Sequence, residues 1–374
     1  MIIGVPREVM EAEYRVAITP VGVRELTTEG HRVLIERDAG AGSSIPDVAF
    51  ERAGAELIRS ADDVWGDAEL VLKVKEPQPS EFGGMRPGQI LFTYLHLAAH
   101  RDVTETLIRS KTTAIAYETV ESPDHRLPLL APMSEIAGRM APHAAAHFLE
   151  RAQGGRGVLI SGVSGVHPAR VCVIGAGMAG ANAAWIAQGL EAEVVLIDRN
   201  VEKLRYVDHI HKGRILTLFS ASLVIEEQLA LADVVIGAVL VPGALAPKLI
   251  TADMIKGMKP GSVFIDISID QGGCSETSRM TTHTHPTYVT HGVVHYCVGN
   301  MPGAVPHTST YALTNATLPY ALALARRGLM GALREDPVLA KGVNVHEGRV
   351  TNRPVAETHG LEYSPLASLV PSES

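Results

Sequence analysis

Val171-Cys-Val-Ile leads into Gly175-Ala-Gly177-Met-Ala-Gly180, and an alanine-rich, helix-competent segment follows from Asn182. That order suits a diphosphate. The first glycine makes the tight turn and the second lets the main chain approach the phosphates. The third lets helix and strand pack closely, so that free N–H groups at the helix start face the anion. Glycine repeats alone are common. Here the next strand, 192–198, ends in Asp198, about 20 residues on, where a carboxylate would hold ribose hydroxyls. An acid there accepts from the ribose diol and repels a 2′-phosphate, which favours NAD over NADP; Arg199 beside it argues the other way. Lys203 and Arg205 stand one turn further on, within reach of the adenosine end, and fit a solvated helix face equally well.

The other candidate groups stand where strands should end. Lys73 and Lys75 share one face of an expected strand over 70–75, and a buried parallel strand rarely accepts two ammoniums on one side. Either both stand at an exposed strand exit, or Lys75 points into the crevice outside the strand's carboxyl end, where open α/β sheets bind ligands. Tyr94 and His96 share a face at the next strand's end, a position that suits His96 to acid/base work. Arg15, between the first strand and first helix, can take a carboxylate by bidentate pairing; taken alone it fits a surface charge. Asp266 and Asp270 have the same parity in a strand over 262–269 and its exit. Asp266 reads as structural, whereas Asp270, before Gly272-Gly273, reads as a group facing a nicotinamide and able to work with a histidine. His209 with His211 and His283 with His285 lack the cysteine or acid spacing of a zinc site and read as loop or surface residues. Neither a Gly-x-Ser-x-Gly elbow nor a Walker loop is present.

Positioning these groups takes alternating strands and helices. Strands are expected at 2–6, 32–36, 70–75, 89–96 and 112–120, with helices at 20–26, 47–53 and 102–109 between them. A helical stretch follows over 131–152, kinked or split at Pro142. Strands at Val171, Val194, 232–239 and 262–269 alternate with helices at Asn182 and 201–209, and 291–299 closes the set. From Thr308 the sequence is helix-like again, with Pro319 a kink or a new start. The expectation is α/β: two doubly wound domains joined by long bridging helices. One is a discontinuous substrate domain, 1–128 with 306–374, and the other a central Rossmann NAD-binding domain, 129–305.

The 374 residues, 46% hydrophobic and 20% charged, describe an ordinary globular chain, and a net charge of −8 lacks the basic footprint of a nucleic-acid binder. The apolar run 234–250 is broken by Gly237, Pro242, Gly243 and Pro247, too short to span a bilayer. Met1-Ile-Ile-Gly-Val-Pro reads as a first strand rather than a signal peptide. Cys172, Cys274 and Cys297 form neither a disulfide framework nor a metal pattern, so no metal is expected and a reducing cytoplasm is.

Longer motifs carry a family likeness. Glu13-Tyr-Arg-Val-Ala-Ile-Thr-Pro, Leu72-Lys-Val-Lys-Glu-Pro, Phe92-Thr-Tyr-Leu-His-Leu-Ala, Ile267-Ser-Ile-Asp-Gln-Gly-Gly-Cys, Asn300-Met-Pro-Gly-Ala-Val-Pro and Thr308-Ser-Thr-Tyr-Ala-Leu-Thr-Asn-Ala-Thr-Leu-Pro-Tyr resemble the alanine dehydrogenase family, from the first strand to beyond Pro319. The resemblance implies reversible NAD-dependent conversion of L-alanine to pyruvate, ammonium and NADH, by a homo-oligomer that is typically a homohexamer, with no membrane or nucleic-acid partner. It implies that Arg15 and Lys75 hold the substrate, with Tyr94, Asn300 and Met301 beside it, and that His96 and Asp270 form the acid/base pair. The cofactor set is then Ser134, Gly175, Gly177, Met178, Ala179, Gly180, Asp198, Lys203, Ser220, Val239, Leu240 and Asp270. His307 and Gly299 depart from the family pattern, which leads one to expect arginine and alanine. Three rivals remain: a dehydrogenase for another small 2-amino or 2-oxo acid, a transhydrogenase nucleotide-binding subunit, and a non-catalytic NAD-binding regulator. The last two have no need of His96 with Asp270.

Overall fold

The structure, a computed structural model, describes residues 1–239 and 245–369. The chain divides into two compact units, Met1–Met133 with the chain from Gly303 onward, and Ser134–Pro302. It crosses once along the helix Ala131–Phe148 and again at the single turn Met301–Ala304.

The first unit begins with β1 (Ile2–Val5), β2 (Arg32–Glu36), β3 (Glu56–Ile58), β4 (Leu70–Leu72), β5 (Ile90–Thr93) and β6 (Thr113–Ala116). The second contains β7 (Arg170–Ile174), β8 (Glu193–Asp198), β9 (Ile215–Phe219), β10 (Val234–Gly237), β11 (Val263–Asp266), β12 (Thr287–Thr290) and β13 (Val293–Tyr296). Back in the first unit, β14 (Val343–His346) and β15 (Arg349–Val350) complete its sheet.

The two sheets share one plan. Their orders are β3-β2-β1-β4-β5-β6-β14-β15 and β9-β8-β7-β10-β11-β13-β12. Pairing is parallel throughout, except around β14 and β15 and between β12 and β13. Each is therefore doubly wound, with strand order reversing beside its first strand, and ligands bind such sheets outside the carboxyl ends at that switch point. Residue alternation along β7 shows why the sheet needs helices on both faces. Val171 and Val173 enter one core with Ala141, Ala145 and Ala183, whereas Cys172 and Ile174 enter another with Ile225 and Phe264. Burial there pushes the Cys172 thiol up to about 12, so it behaves as a small hydrophobe.

Several expected elements are shorter or elsewhere. β4 ends at Leu72 and β5 at Thr93, so Lys73, Lys75, Tyr94 and His96 all lie beyond their strands. β11 stops at Asp266, whose Oδ1 accepts the Ser268 N–H at 3.0 Å and starts a 3-10 turn over Ile267–Gln271. Asp266 and Asp270 therefore do not share a strand face. Asp266 is buried and also accepts from Cys274 N–H at 2.8 Å and the Ser278 hydroxyl at 2.5 Å, a satisfied structural acid. Pro142 lies within the helix Ala131–Phe148 rather than dividing it. The break in Pro306–Glu335 falls at Gly328 and not at Pro319, because Gly328 takes φ 66, ψ 174, a conformation that residues bearing a Cβ avoid. No described helix is long and apolar enough to cross a membrane.

Candidate active site

In the first unit the loops after β1, β4 and β5 carry the expected groups. Arg15 is no surface charge: it is 2% exposed. Its Nε and Nη2 donate to the two oxygens of Glu13 at 2.7 and 2.5 Å, and Nη1 donates to the Met133 sulfur at 3.0 Å. Burial opposes the guanidinium charge, but Glu13 outweighs it and the pKa rises. The bidentate pair fixes the plane of the guanidinium as no single contact could.

Nor does either lysine stand at an exposed exit. Lys73 is fully buried and donates to Glu8 Oε2 at 3.0 Å and Glu81 Oε1 at 2.8 Å. Glu8 Oε1 in turn accepts the main-chain N–H groups of Val74 at 2.6 Å and Lys75 at 3.4 Å. The buried ion pairs therefore hold the peptide units that carry Lys75. Lys75 itself is 8% exposed, and among the described residues its ammonium makes no hydrogen bond or ion pair. The Glu76 carboxylate lies close enough to act on this cation through space, but no described side chain occupies its donors, which leaves them for an anionic or carbonyl ligand.

His96 has φ 47, in the left-handed region, and Glu118 stabilises it there by accepting the N–H groups of His96 at 2.6 Å and Leu95 at 3.2 Å. The His96 Nδ1 edge faces Glu76 Oε2 at 3.6 Å, and His100 Nε2 faces the other oxygen at 3.7 Å. Burial would raise the Glu76 carboxyl, but His96 and Lys75 outweigh it and bring the pKa down to about 2. Burial would lower His96, and Glu76 with Glu118 outweighs it against the opposing charge of Lys75, so its pKa rises. Tyr94 stacks on His96 with centroids 5.9 Å apart and donates its hydroxyl to the Leu129 carbonyl at 2.5 Å. Glu8, Glu13, Glu76 and Glu118 escaped the sequence reading, since an acid near a base reads as an ordinary loop charge. Burial marks the first three, and Glu118, half-buried, is marked by the N–H groups that it accepts.

In the second unit the three motif glycines answer to three different demands. Gly175 has φ 104, and a Cβ on it would lie 2.3 Å from the Ala238 carbonyl oxygen; one on Gly180 would lie 1.7 Å from the Gly175 carbonyl oxygen. A Cβ on Gly177 would meet nothing within 4 Å. Gly177 is the N-cap of helix Met178–Gly189, so its open side lies at the helix start, where Met178 and Ala179 present N–H groups and a phosphate fits. Asp198 accepts from Ala176 N–H at 2.6 Å and Asn200 N–H at 2.7 Å, which ties the end of β8 to the glycine loop and leaves oxygen lone pairs for ribose hydroxyls. Ser220 lies beside it, its N–H on the Asp198 carbonyl at 3.0 Å, while Lys203 is exposed on the helix capped by Asn200. Val239 follows β10 and donates its N–H to the Ser268 hydroxyl at 2.9 Å; Leu240 lies outside the described residues.

Ser134 sits in the first turn of Ala131–Phe148, four residues before Gly138. A Cβ on Gly138 would lie 2.1 Å from the Ala179 carbonyl oxygen, so this helix touches the start of Met178–Gly189 backbone to backbone. Gly138→Ala is therefore expected to shift that helix start and to weaken NADH binding about tenfold or more, read by fluorescence titration. Unchanged affinity would mean that the two helices separate without disturbing the loop.

Asp270 is exposed on its 3-10 turn and accepts the Asn300 N–H at 3.2 Å. Met301 is 3% exposed and packs into the same core as Val171 and Ala137. A methyl at Gly299 would lie 3.3 Å from Asp270 Oδ1 and 3.2 Å from the Met280 sulfur, so the glycine leaves the carboxylate more room. His307 donates from Nδ1 to the Ser43 carbonyl at 3.0 Å and packs against Tyr311, within the first unit. No group of three or more described His, Cys, Asp or Glu residues is placed to hold a metal.

Two family models, the N-terminal and C-terminal domains of alanine dehydrogenase/PNT, match residues 4–137 and 141–353. The chain belongs to the alanine dehydrogenase/PNT family. The C-terminal family model runs through Pro302 into the returning chain, so these sequence domains are not the two structural units. Among curated members the chain is 56% identical over 370 residues to an alanine dehydrogenase of Halomonas elongata, covering 99% of this chain and 100% of that one. An L-alanine dehydrogenase structure superposes with TM-score 0.92 at 51% identity, covering 96% of this chain and 99% of the other. A transhydrogenase structure from Sinorhizobium meliloti is more distant, at TM-score 0.80 and 26% identity over 94% of this chain and 100% of that one.

Proposed function

We propose that the chain catalyses the reversible, NAD-dependent oxidative deamination of L-alanine to pyruvate, ammonium and NADH. The observation that carries this reading is the cluster at the carboxyl ends of β1, β4 and β5: Arg15 held by Glu13, Lys75 with its ammonium donors unoccupied among the described residues, and His96 between two carboxylates. The high identity to alanine dehydrogenases along the whole chain supplies the substrate.

Arg15 takes the substrate carboxylate, and Lys75 the oxygen that develops at Cα, so that the α-hydrogen is oriented for transfer. NAD, when bound through Ser134, the Gly175–Gly180 loop, Asp198, Lys203, Ser220, Val239 and Leu240, supplies the hydride acceptor. Tyr94, Asn300 and Met301 complete the substrate side. Loss of hydride leaves a substrate iminium, to which water adds, and ammonium then departs. His96 and Asp270 take and return the protons of these steps, and one proton is released overall. In this reading the first unit is the substrate domain and the second the NAD domain. A homohexamer in the cytoplasm completes the proposal, in line with three free, buried thiols.

Purified protein is expected to oxidise NADH rapidly when given pyruvate and ammonium together and hardly at all with either alone. Turnover with pyruvate that ignores ammonium would replace the reading with that of a 2-oxo-acid reductase.

A further inference from the structure

His283 lies in the irregular segment between Met280 and Pro286, where the sequence reads it as a loop histidine. The fold gives it a particular partner. Its Nε2 bonds the main-chain carbonyl of Asn300 at 3.0 Å. A carbonyl oxygen only accepts, so Nε2 carries the proton and the tautomer is fixed. Asn300 stands at φ 62, in the left-handed region that residues with a Cβ occupy at a cost, asparagine least among them. Its N–H donates to Asp270 Oδ1 at 3.2 Å.

Both main-chain polar groups of this one residue are thus engaged, one by the histidine and one by the carboxylate. The segments that bring them together are laced by main-chain bonds, Thr281 N–H to Cys297 O at 2.9 Å and Gly299 N–H to Thr281 O at 3.1 Å. Thr281 also closes the turn beneath His283 through its hydroxyl on the Pro286 carbonyl at 3.0 Å. Fixing the Asn300 carbonyl fixes ψ of a residue whose N–H direction is set by φ, so the two bonds reinforce one backbone conformation. Asp270 is exposed, and an exposed carboxylate samples several rotamers unless a donor holds one of them.

We propose that His283 is a positioning residue that holds Asn300 left-handed and thereby fixes the Asp270 carboxylate for proton transfer. This rests on the reading that Asp270 belongs to the acid/base pair. His283 touches no reacting atom in this account; it acts through Asn300.

The test is a set of steady-state measurements on His283→Ala, His283→Gln, Asp270→Asn and the double variant His283→Ala/Asp270→Asn, with NADH affinity measured for each. His283→Ala is expected to lower kcat about 10- to 100-fold with NADH affinity unchanged, the scale of a small misplacement of a working group. His283→Gln restores most of that loss, because its amide N–H can reach the same carbonyl. Added to Asp270→Asn, the His283→Ala change costs nothing further, as expected for two residues acting as one unit. Full kcat in His283→Ala, or the same fold-loss in both backgrounds, would overturn the inference alone. Lost NADH binding in His283→Ala without recovery in His283→Gln would also overturn it and make His283 a determinant of folding. Full activity in Asp270→Asn would remove the acid/base reading and the inference together.

Discussion

Lys73→Met is expected to destabilise the first unit by about 3–5 kcal/mol, the usual cost of removing one partner from a buried ion pair. The lysine is fully buried between Glu8 and Glu81, and nothing else among its hydrogen-bond partners could take its charge. Burial lowers the Lys73 ammonium and the two carboxylates more than restore it, so it remains charged. Glu8 is the strained partner: burial raises its carboxyl more than Lys73 lowers it, with Glu13 and Glu81 adding repulsion. Without Lys73, buried carboxylates must be desolvated unpaired or take up protons. A carboxyl whose folded pKa lies above its unfolded value binds more protons when folded. The deficit in Lys73→Met should therefore be largest at neutral pH and shrink as pH falls toward the range where Glu8 takes up its proton. Urea unfolding as a function of pH reads this directly. Adding Glu8→Gln and Glu81→Gln should recover much of the loss at pH 7. A loss independent of pH would show that packing, not charge, sets the effect. Activity should fall as well, because Glu8 holds the N–H groups that present Lys75.

His96→Gln is expected to lower kcat by about 10²- to 10⁴-fold, the range for loss of a general acid/base, with NADH affinity kept. Glu76→Gln tests the environment rather than the group. The charges that face His96 are Glu76, Glu118 and Lys75, with Tyr94 stacked on the ring. Glu76 raises the imidazole pKa; neutralising it leaves Glu118 opposed by Lys75 and lets that pKa fall. Alanine oxidation needs the neutral imidazole as base, so its rise with pH should move to lower pH in Glu76→Gln. A pH profile that stays in place would mean that another group governs that limb.

How much of this was legible in the sequence differs between the two units. The glycine loop could be read residue by residue because its demands are on the backbone: a positive φ at Gly175, no room for a Cβ at Gly180 and open space at Gly177. The doubly wound order followed from strand–helix alternation. β3 and β15, three and two residues long, are too short for periodicity to register, and Gly328 rather than Pro319 breaks the last long helix. In the first unit Arg15, Lys75 and His96 stood out by their positions at strand exits. The glutamates that hold them did not, because their partners come from other loops: Glu8 meets Lys73 across 65 residues, and Glu118 meets His96 across 22. Such a charge is identified by the partner it meets in the fold, which one sequence does not display. His283 reads as a loop residue and lies in one, and its bond to a main-chain carbonyl 17 residues away is a contact that one sequence does not display.

Hydride is expected to leave Cα of L-alanine for NAD. The most direct measurement supplies L-alanine carrying deuterium at Cα and follows the mass of the NADH formed. NADH is expected to gain one deuterium per turnover while pyruvate and ammonium accumulate in equal amounts. NADH formed without deuterium, or pyruvate formed without NADH, would contradict that expectation.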